Sequence, residues 1–260
     1  MERPSEADQY HAHILKCSLA VEHSRAYWKH VPTSVGDNTE IAAFTEYWFG
    51  AKSLPRVRLL LSTFRDRFDR FPPSTSILHR WKSIDTTTRR LICHWHLQLT
   101  DRLYREFTGE YLVDRVGAGR VDVTRDVVVQ WLEKRAPERW TVSTRTQFAK
   151  MLLHSAAEAG ILKGNRDPRQ FQIMRVSDES LGYILYLLRT IQFNGTLISN
   201  PYLASVGITA QDLERRLLGF PSCGFRRQGD LIEFTWRYNG LSEWAEETVL
   251  KVDSQLRGTA

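Results

Sequence analysis

The sequence predicts a mainly α-helical protein, in which an N-terminal multi-helical domain is followed by two small winged-helix-like modules with short β-hairpins. Apolar residues recur at every third or fourth position through most of the first 116 residues. A Gly-Ala-Gly sequence at 117–119 then interrupts this pattern, and the second half contains twice the order of two helices and a hairpin. We therefore place the domains at residues 1–117, 120–177 and 178–260.

The composition is that of a folded protein in a reducing compartment. Of the 260 residues, 42% are apolar and 25% are charged, which is sufficient for a hydrophobic core without disulfides. The three cysteines are odd in number and far apart in sequence. The chain opens on an acidic, polar stretch, and no apolar run approaches the roughly 20 residues of a transmembrane helix. We expect a cytoplasmic protein without membrane association.

Four helical stretches make up the N-terminal domain. Helical spacing of apolar residues predicts helices over Ala12–Val31 and Glu40–Phe49. The clearest pattern covers Leu54–Phe71, where Ser53 offers an N-cap and two prolines follow the last apolar residue. Arg89–Val116 reads as one long helix that ends at the Gly-Ala-Gly sequence.

Positive charge is concentrated between Lys52 and Arg90, where ten Lys or Arg residues stand against three acids. At ~100° per residue, the arginines of the Leu54–Phe71 helix occupy both flanks of its apolar face. The candidate nucleic-acid-binding residues of this segment are Arg56, Arg58, Arg65, Arg67, Arg70, Lys82 and Arg89. Such a local positive potential attracts polyanions. The alternative is an ordinary amphipathic helix whose arginines pair locally with Asp66 and Asp69.

The middle module has the order helix, turn, helix and hairpin of a winged helix. We predict helices at Thr124–Lys134, with Thr124 as its cap, and at Ser143–Ala159, with Ser143 as its cap, and an alternating strand at Phe171–Val176. The second helix of such a module enters the DNA major groove. Candidate contacts are Arg145, Thr146, Gln147 and Lys150 on that helix, with Lys163, Arg166 and Arg169 on the wing. The alternative is a module that only packs against its neighbours.

The last module repeats the arrangement. A helix over Glu179–Ile191 is followed by a short helix opened by Asn200, a helix capped by Thr209, and a hairpin with its turn at 228–230. Gln211 and Arg215 face outward from the capped helix, and Arg226 and Arg227 lie near the hairpin tip. These side chains are candidate backbone contacts, although charge on an edge strand also serves to prevent strand pairing.

The sequence lacks the patterns that an enzyme or a cofactor site requires. No phosphate-binding loop occurs, and no nucleophile stands at a convincing spacing from a base. Cys93, His94 and His96 resemble a metal cluster, but His94 points away from the other two on a helix and no second ligand pair exists. We interpret them as a partly buried cysteine with two surface or core-edge histidines, and we expect no enzyme activity, cofactor or metal.

The helical opening Tyr10–Val31, the Arg-rich helix, the Leu91–Val116 helix and the segment from Trp140-Thr141-Val142-Ser143-Thr144 to Ala157–Leu162 together resemble the BrxA family of BREX phage-defence systems. The resemblance implies a bacterial cytoplasmic, mostly helical, non-catalytic protein that binds double-stranded DNA. Its partners would be other components of the antiviral defence system, which include a methyltransferase, an ATPase and a phosphatase-like protein. The family provides no residue-level motif, so the candidate residues above come from the helix faces alone.

Two alternatives to duplex-DNA binding remain open at this point. One is RNA binding, because the family is also similar to a helical RNA-binding antitermination factor. The other is an interaction subunit whose basic helix contacts an acidic partner, with Trp48, Phe49 and Trp81 as candidate anchors unless they lie in the core.

Overall fold

The computed structural model describes residues 3–31 and 38–251. Helices α1 to α14 cover, in order, His13–Lys16, Val21–His30, Thr39–Thr45, Leu54–Phe64, Ser74–Arg80, Thr86–Thr100, Arg102–Glu106, Leu112–Gly117, Arg125–Arg135, Val142–Ala159, Asp178–Leu188, Pro201–Ala204, Ala210–Leu217 and Leu241–Ala245. Turns of π-helix extend three of them, at Arg65–Asp69, Phe107–Tyr111 and Glu246–Leu250. Strands β1 to β5 cover Asp122–Val123, Leu162–Lys163, Arg169–Phe171, Cys223–Gln228 and Leu231–Trp236. The predicted mainly α-helical class with short hairpins is confirmed.

Helix α6 forms the centre of the molecule. Every residue from Leu91 to Thr100 is buried, so this helix has no solvent-facing side over three turns. It packs against α2, α10, α11 and the π-helical turn Arg65–Asp69. A helix that is surrounded in this way makes the core continuous, and one cluster of buried apolar residues extends from Ile14 to Leu250.

The prediction of one long helix over Arg89–Val116 is wrong, because the chain breaks at Asp101. This residue is extended, with φ −134° and ψ 102°, and its side chain accepts a hydrogen bond from the Tyr104 backbone N–H. Asp101 therefore closes α6 and caps α7. The apolar spacing continues across the break, which is why the sequence pattern did not reveal it.

The middle segment contains helix, turn, helix and hairpin in the predicted order, with an additional strand. β1, β3 and β2 form an antiparallel sheet in that spatial order. The predicted strand Phe171–Val176 is wrong, because regular pairing ends at Phe171. Thr124 caps α9 as predicted, whereas α10 is capped by Thr141 rather than by Ser143.

The C-terminal segment follows its prediction closely. Asn200 and Thr209 accept backbone N–H groups at the starts of α12 and α13. Strands β4 and β5 pair from Cys223↔Trp236 to Gln228↔Leu231, with Gly229 at φ +60° in the tight turn. A positive φ costs glycine little, which explains its place there.

Hydrogen bonds cross both predicted domain boundaries. Ser155 Oγ accepts from Leu19 N–H at 3.2 Å, and Thr88 Oγ1 lies 2.9 Å from Ser180 Oγ. The predicted domain boundaries at 117–120 and 177–178 stay a prediction about folding units. The hydrophobic core is continuous across both of them. Among the described helices, none combines the length and the apolar character needed to cross a membrane.

Candidate nucleic-acid interface

Four of the predicted arginines lie exposed on α4 and on the turn that follows it, but most of them have intramolecular partners. Arg58 Nε lies 2.6 Å from Glu40 Oε2. Arg56 donates to the Lys16 carbonyl at 2.8 Å, and Arg70 donates to the Ser5 carbonyl at 3.0 Å. Arg65 completes the exposed set. Backbone partners leave the charge of Arg56 and Arg70 in place, whereas the Glu40 carboxylate offsets that of Arg58.

Arg67 is not a surface residue, so its prediction as a binding residue is wrong. The side chain is 3% exposed and donates to the carbonyls of Cys17, Ser18 and Leu19 at 2.8–3.0 Å. It lies in the π-helical turn Arg65–Asp69, where Arg70 N–H bonds to Arg65 C=O. The chain between α1 and α2 covers this flank of the helix, so tertiary packing rather than helical position buries Arg67.

The remaining cations of the Lys52–Arg90 segment are partly neutralised by acids that lie far away in sequence. Arg89 is half-buried, bonds to the Ile84 carbonyl and lies 3.7 Å from Glu22. Arg80 forms a two-pronged pair with Glu246, with one contact at 2.8 Å. Lys82 is exposed. The segment is therefore less positive in three dimensions than in sequence.

Helix α10 presents an exposed polar stripe to solvent. Ser143, Gln147, Lys150 and His154 recur at the three- and four-residue spacing of one helical face, and all four are exposed. Gln147 and Lys150 form no side-chain hydrogen bond or ion pair with any described residue. Thr146 lies beside this stripe, half-buried, with its hydroxyl bonded to the Val142 carbonyl.

Two further predicted residues of this module are buried and are removed from the candidate surface. Arg145 pairs with Glu133 at 3.1 Å on the inner side of α10. Arg169 donates to the Leu153 carbonyl at 2.8 Å and thereby attaches β3 to α10. Both are 9% exposed, so they position the module and cannot contact a ligand in this conformation.

The loop between β2 and β3 is exposed and held in place. Lys163 and Arg166 lie at the surface without an ion pair to a described acid. Asp167 Oδ2 accepts from Arg125 N–H at 2.7 Å, so the loop is attached to the first turn of α9. The candidate wing is thus anchored to the helix pair that precedes it.

Uncompensated positive charge is greatest in the middle segment. Residues 120–177 contain eleven Lys or Arg against six acids. Among the described residues, seven exposed cations of this segment have no side-chain hydrogen bond or ion pair, namely Arg120, Arg125, Lys134, Lys150, Lys163, Arg166 and Arg175. The sequence analysis missed Arg120, Arg125, Lys134 and Arg175, since they lie outside the helical face it considered. A comparison of the number of Lys and Arg with the number of Asp and Glu in residues 120–177 would have pointed to these cations.

The candidate residues of the C-terminal module are largely paired with acids. Arg215 and Arg227 form ion pairs with Asp212 and Glu214 of the same helix, α13. Arg226 lies directly across the hairpin from Glu233. Gln211 is exposed. The outer face of α13 and its hairpin therefore has little excess positive charge.

The cysteine and histidines of α6 belong to the core, so the prediction of surface or core-edge histidines is wrong. His94 bonds to the hydroxyls of Tyr104 and Ser205 at 2.9 and 2.8 Å, and His96 bonds to the Arg67 carbonyl and the Tyr183 hydroxyl at 2.7 and 2.8 Å. Burial lowers the pKa of His94 to about 3 and that of His96 to about 4. Within the described part of the chain, no group of three His, Cys, Asp or Glu is arranged to hold a metal.

The aromatic residues considered as partner anchors also belong to the core. Trp48 and Phe49 are 7% exposed and Trp81 is 5% exposed. Trp48 stacks on His30 with ring centroids 4.7 Å apart, and Trp81 packs edge-on against Trp244. They cannot anchor a partner, which removes the evidence for an interaction surface at this place.

Comparisons with known proteins identify a matching family and a similar solved structure. The family model described as BrxA matches residues 8–185. A crystal structure of an uncharacterized protein from Magnetospirillum magneticum superposes with a TM-score of 0.55 at 20% identity, over 70% of this chain and 97% of that chain. At this identity the likeness establishes a shared fold alone. No curated protein matches the sequence.

Proposed function

The chain belongs to the BrxA family and is a component of a BREX phage-defence system, and on this premise we propose that it binds double-stranded DNA without catalysing a reaction. The main contact is the exposed stripe of α10 together with the β2–β3 loop. The observation that carries the proposal is that Lys150, Lys163 and Arg166, on this stripe and beside this loop, are exposed and form no side-chain hydrogen bond or ion pair with any described residue. Unpaired lysine and arginine side chains can neutralise phosphates without first breaking an internal ion pair.

The shape of this segment suits a DNA groove. The major groove is about 12 Å wide and admits one α-helix. Ser143 and Gln147 can hydrogen-bond to base edges, since glutamine pairs with adenine and serine accepts several partners. Lys150 lies one turn further along the same stripe, and Lys163 and Arg166 extend from the loop toward the sugar-phosphate backbone. A winged-helix mode of binding therefore fits the order and the exposure of these elements.

The arginines of α4 form a second, weaker surface in this proposal. Arg56, Arg65 and Arg70 are exposed and retain their charge, whereas Arg58 is compensated by Glu40. Their contribution is long-range attraction of the polyanion, which salt screens within a Debye length of about 8 Å at physiological ionic strength.

The proposal is tested by measuring affinity for a labelled 20-base-pair duplex by fluorescence anisotropy over a salt series. Each neutralised phosphate contributes about −0.9 to the slope of log affinity against log salt. We expect Lys150→Glu with Arg166→Glu to weaken binding at least tenfold and to reduce the slope by about 2. The control Arg25→Glu with Lys251→Glu changes net charge equally at other exposed positions and should weaken binding less than threefold.

Equal loss in both double variants would show that net charge, rather than this surface, governs binding. Arg58→Glu with Arg65→Glu measures the contribution of the second surface, and we expect a loss of affinity between those of the other two pairs.

Competition with single-stranded and structured RNA tests the RNA-binding alternative, because RNA-binding proteins use base stacking and the 2′-hydroxyl. An RNA that displaces the duplex at lower concentration than unlabelled duplex would replace our proposal with RNA binding.

We place the protein in the bacterial cytoplasm, together with the methyltransferase, ATPase and phosphatase-like proteins of the system. The free thiols of Cys17, Cys93 and Cys223 support this location, because all three are buried and unpaired.

A further inference from the structure

An apolar groove lies where the three segments of the chain meet. It has a volume of about 460 Å³ and is lined by residues of 108–117, 161, 171–173 and 204–209. None of its lining residues is charged, and most of the lining is aliphatic, including Leu112, Val113, Ile161, Val206 and Ile208. Nothing in the proposed DNA contact uses this groove.

The rim of the groove exposes branched aliphatic side chains. Ile173 is 95% exposed and Val116 is 52% exposed, and both line the groove. Val121, whose carbonyl bonds to Phe171 N–H, is 76% exposed beside them. Exposed apolar surface that is grouped around a concavity marks a binding site more often than scattered single residues do.

Backbone groups without partners among the described residues begin at Ile173, which lines the groove, and continue to Arg175 beyond it. Gln172 N–H bonds to the Ile161 carbonyl at 2.9 Å, and the chain then leaves the sheet. From Ile173 to Arg175, no backbone N–H or C=O bonds to another described residue. An exposed stretch of unpaired backbone can accept an additional strand, in which main-chain bonds provide affinity and pockets for alternate side chains provide specificity.

Charge around the groove selects for an acidic occupant. Arg120 and Arg175 are exposed and have no partner among the described residues, and Arg115 donates to the Asp122 carbonyl. The exposed acids in the segments that line the groove are Glu110, which pairs with Arg135 at 3.5 Å, and Asp114, which has no ion pair to a described residue. Self-association of two copies through this surface would bring Arg120 and Arg175 of both copies to one interface, which is unfavourable. A flat lipid surface would not fill the concavity.

We propose that this groove docks an extended, acidic segment of another protein of the defence system, which inserts at least one large aliphatic or aromatic side chain beside Ile173 and Val116. The segment would add a strand along Ile173–Arg175 and would pair its carboxylates with Arg120 and Arg175. The proposal depends on membership of the family and not on DNA binding.

The test uses the full-length protein and each other protein encoded in the same defence locus, purified separately and treated with nuclease. Binding is measured by biolayer interferometry at 150 mM salt. We expect one of these proteins to bind, and we expect Ile173→Asp and Val116→Asp each to weaken that binding at least tenfold. Arg120→Glu with Arg175→Glu should weaken it at least fivefold. Leu231→Asp is the matched control, because Leu231 is 69% exposed on the C-terminal hairpin and does not line the groove, and it should leave binding unchanged.

Three results would overturn the proposal. The first is that none of the locus proteins binds the wild-type chain, and the second is that one binds equally well to Ile173→Asp. The third is a wild-type dimer in sedimentation that Ile173→Asp abolishes, which would make the groove a self-association surface. Ile173 is almost fully exposed, so this variant keeps its fold even if Val116→Asp does not. Affinity of Ile173→Asp for duplex DNA should equal that of the wild type, which separates this proposal from the previous one.

Discussion

Arg67 differs from the other arginines of its segment because backbone carbonyls, rather than water molecules, accept the hydrogen bonds of its guanidinium. Its hydrogen bonds to the carbonyls of Cys17, Ser18 and Leu19 hold the chain between α1 and α2 against the π-helical turn that follows α4. Phe64 lies 5.8 Å from the guanidinium carbon. Removing a buried cation that donates three hydrogen bonds is costly, because the three carbonyls are then left without their donor.

We predict that Arg67→Met lowers the free energy of unfolding by about 3 kcal/mol, since three buried carbonyls lose a charged donor. Urea denaturation followed by circular dichroism measures this change. Arg65→Met is the matched control, because Arg65 is exposed two positions earlier, and it should change stability by less than about 0.5 kcal/mol. Similar losses for the two variants would contradict the structural role that we assign to Arg67.

The buried histidines predict a loss of stability in mild acid. His94 and His96 have pKa values lowered by burial to about 3 and about 4, against an unperturbed value near 6.5 in the unfolded chain. Between these values the unfolded state binds more protons, so stability falls as the pH falls. Between pH 7.5 and 5, each histidine should account for about 2 kcal/mol.

Urea denaturation at several pH values between 7.5 and 5 tests this dependence. We expect His96→Gln to reduce the pH-dependent loss by about 2 kcal/mol, whatever its effect on stability at pH 7.5. His154→Gln, which replaces an exposed histidine, is the matched control. A slope that is the same in the wild type and in His96→Gln would show that other groups cause the acid sensitivity.

At the scale of elements, helix starts were predicted well because a cap is a local interaction. Thr124, Asn200 and Thr209 each accept a backbone N–H within three residues, so their roles depend on the adjacent sequence alone. The start of α10 was misplaced by two residues, since Thr141 and Ser143 are both good caps and the sequence does not choose between them. The break at Asp101 and the π-helical turn after α4 were not predicted, because both interrupt helices whose apolar spacing continues.

The cap of α10 gives a prediction at this scale. Thr141 Oγ1 accepts from Thr144 N–H, whereas the Ser143 side chain caps no helix. Thr141→Ala should lower the free energy of unfolding by about 1 kcal/mol, and Ser143→Ala should change it by less than about 0.5 kcal/mol. Chemical denaturation of the two variants measures the difference. The opposite order would place the helix start at Ser143.

At the scale of the molecule, hydrogen bonds connect the segments on the two sides of the predicted boundary at 117–120. Glu158 of α10 accepts the backbone N–H groups of Ala20 and Val21 at 3.0 and 2.8 Å, and so connects the middle segment to the start of α2. The Leu19 N–H bond to Ser155 lies one residue earlier. These bonds link the candidate DNA-binding helix to the N-terminal helices.

We predict a single unfolding transition for the full-length protein, with the same midpoint by tryptophan fluorescence and by circular dichroism. Glu158→Ala should shift the whole transition to lower denaturant, because it removes both acceptors at the start of α2, and stability should fall by about 2 kcal/mol. Two separate transitions, with only one displaced by Glu158→Ala, would instead support independent domains.

Amino-acid spacing alone established the helical class, most helix starts and the C-terminal hairpin, because each depends on residues within about one turn of each other. Only the tertiary structure decided which charges are available at the surface. Arg58, Arg80 and Arg89 have carboxylate partners 18 to 166 residues away, and Arg67, Arg145 and Arg169 are buried by packing. Electrostatic partners are chosen by distance in space rather than along the chain, so the largest cluster of positive charge in the sequence is not the least compensated one in the folded protein.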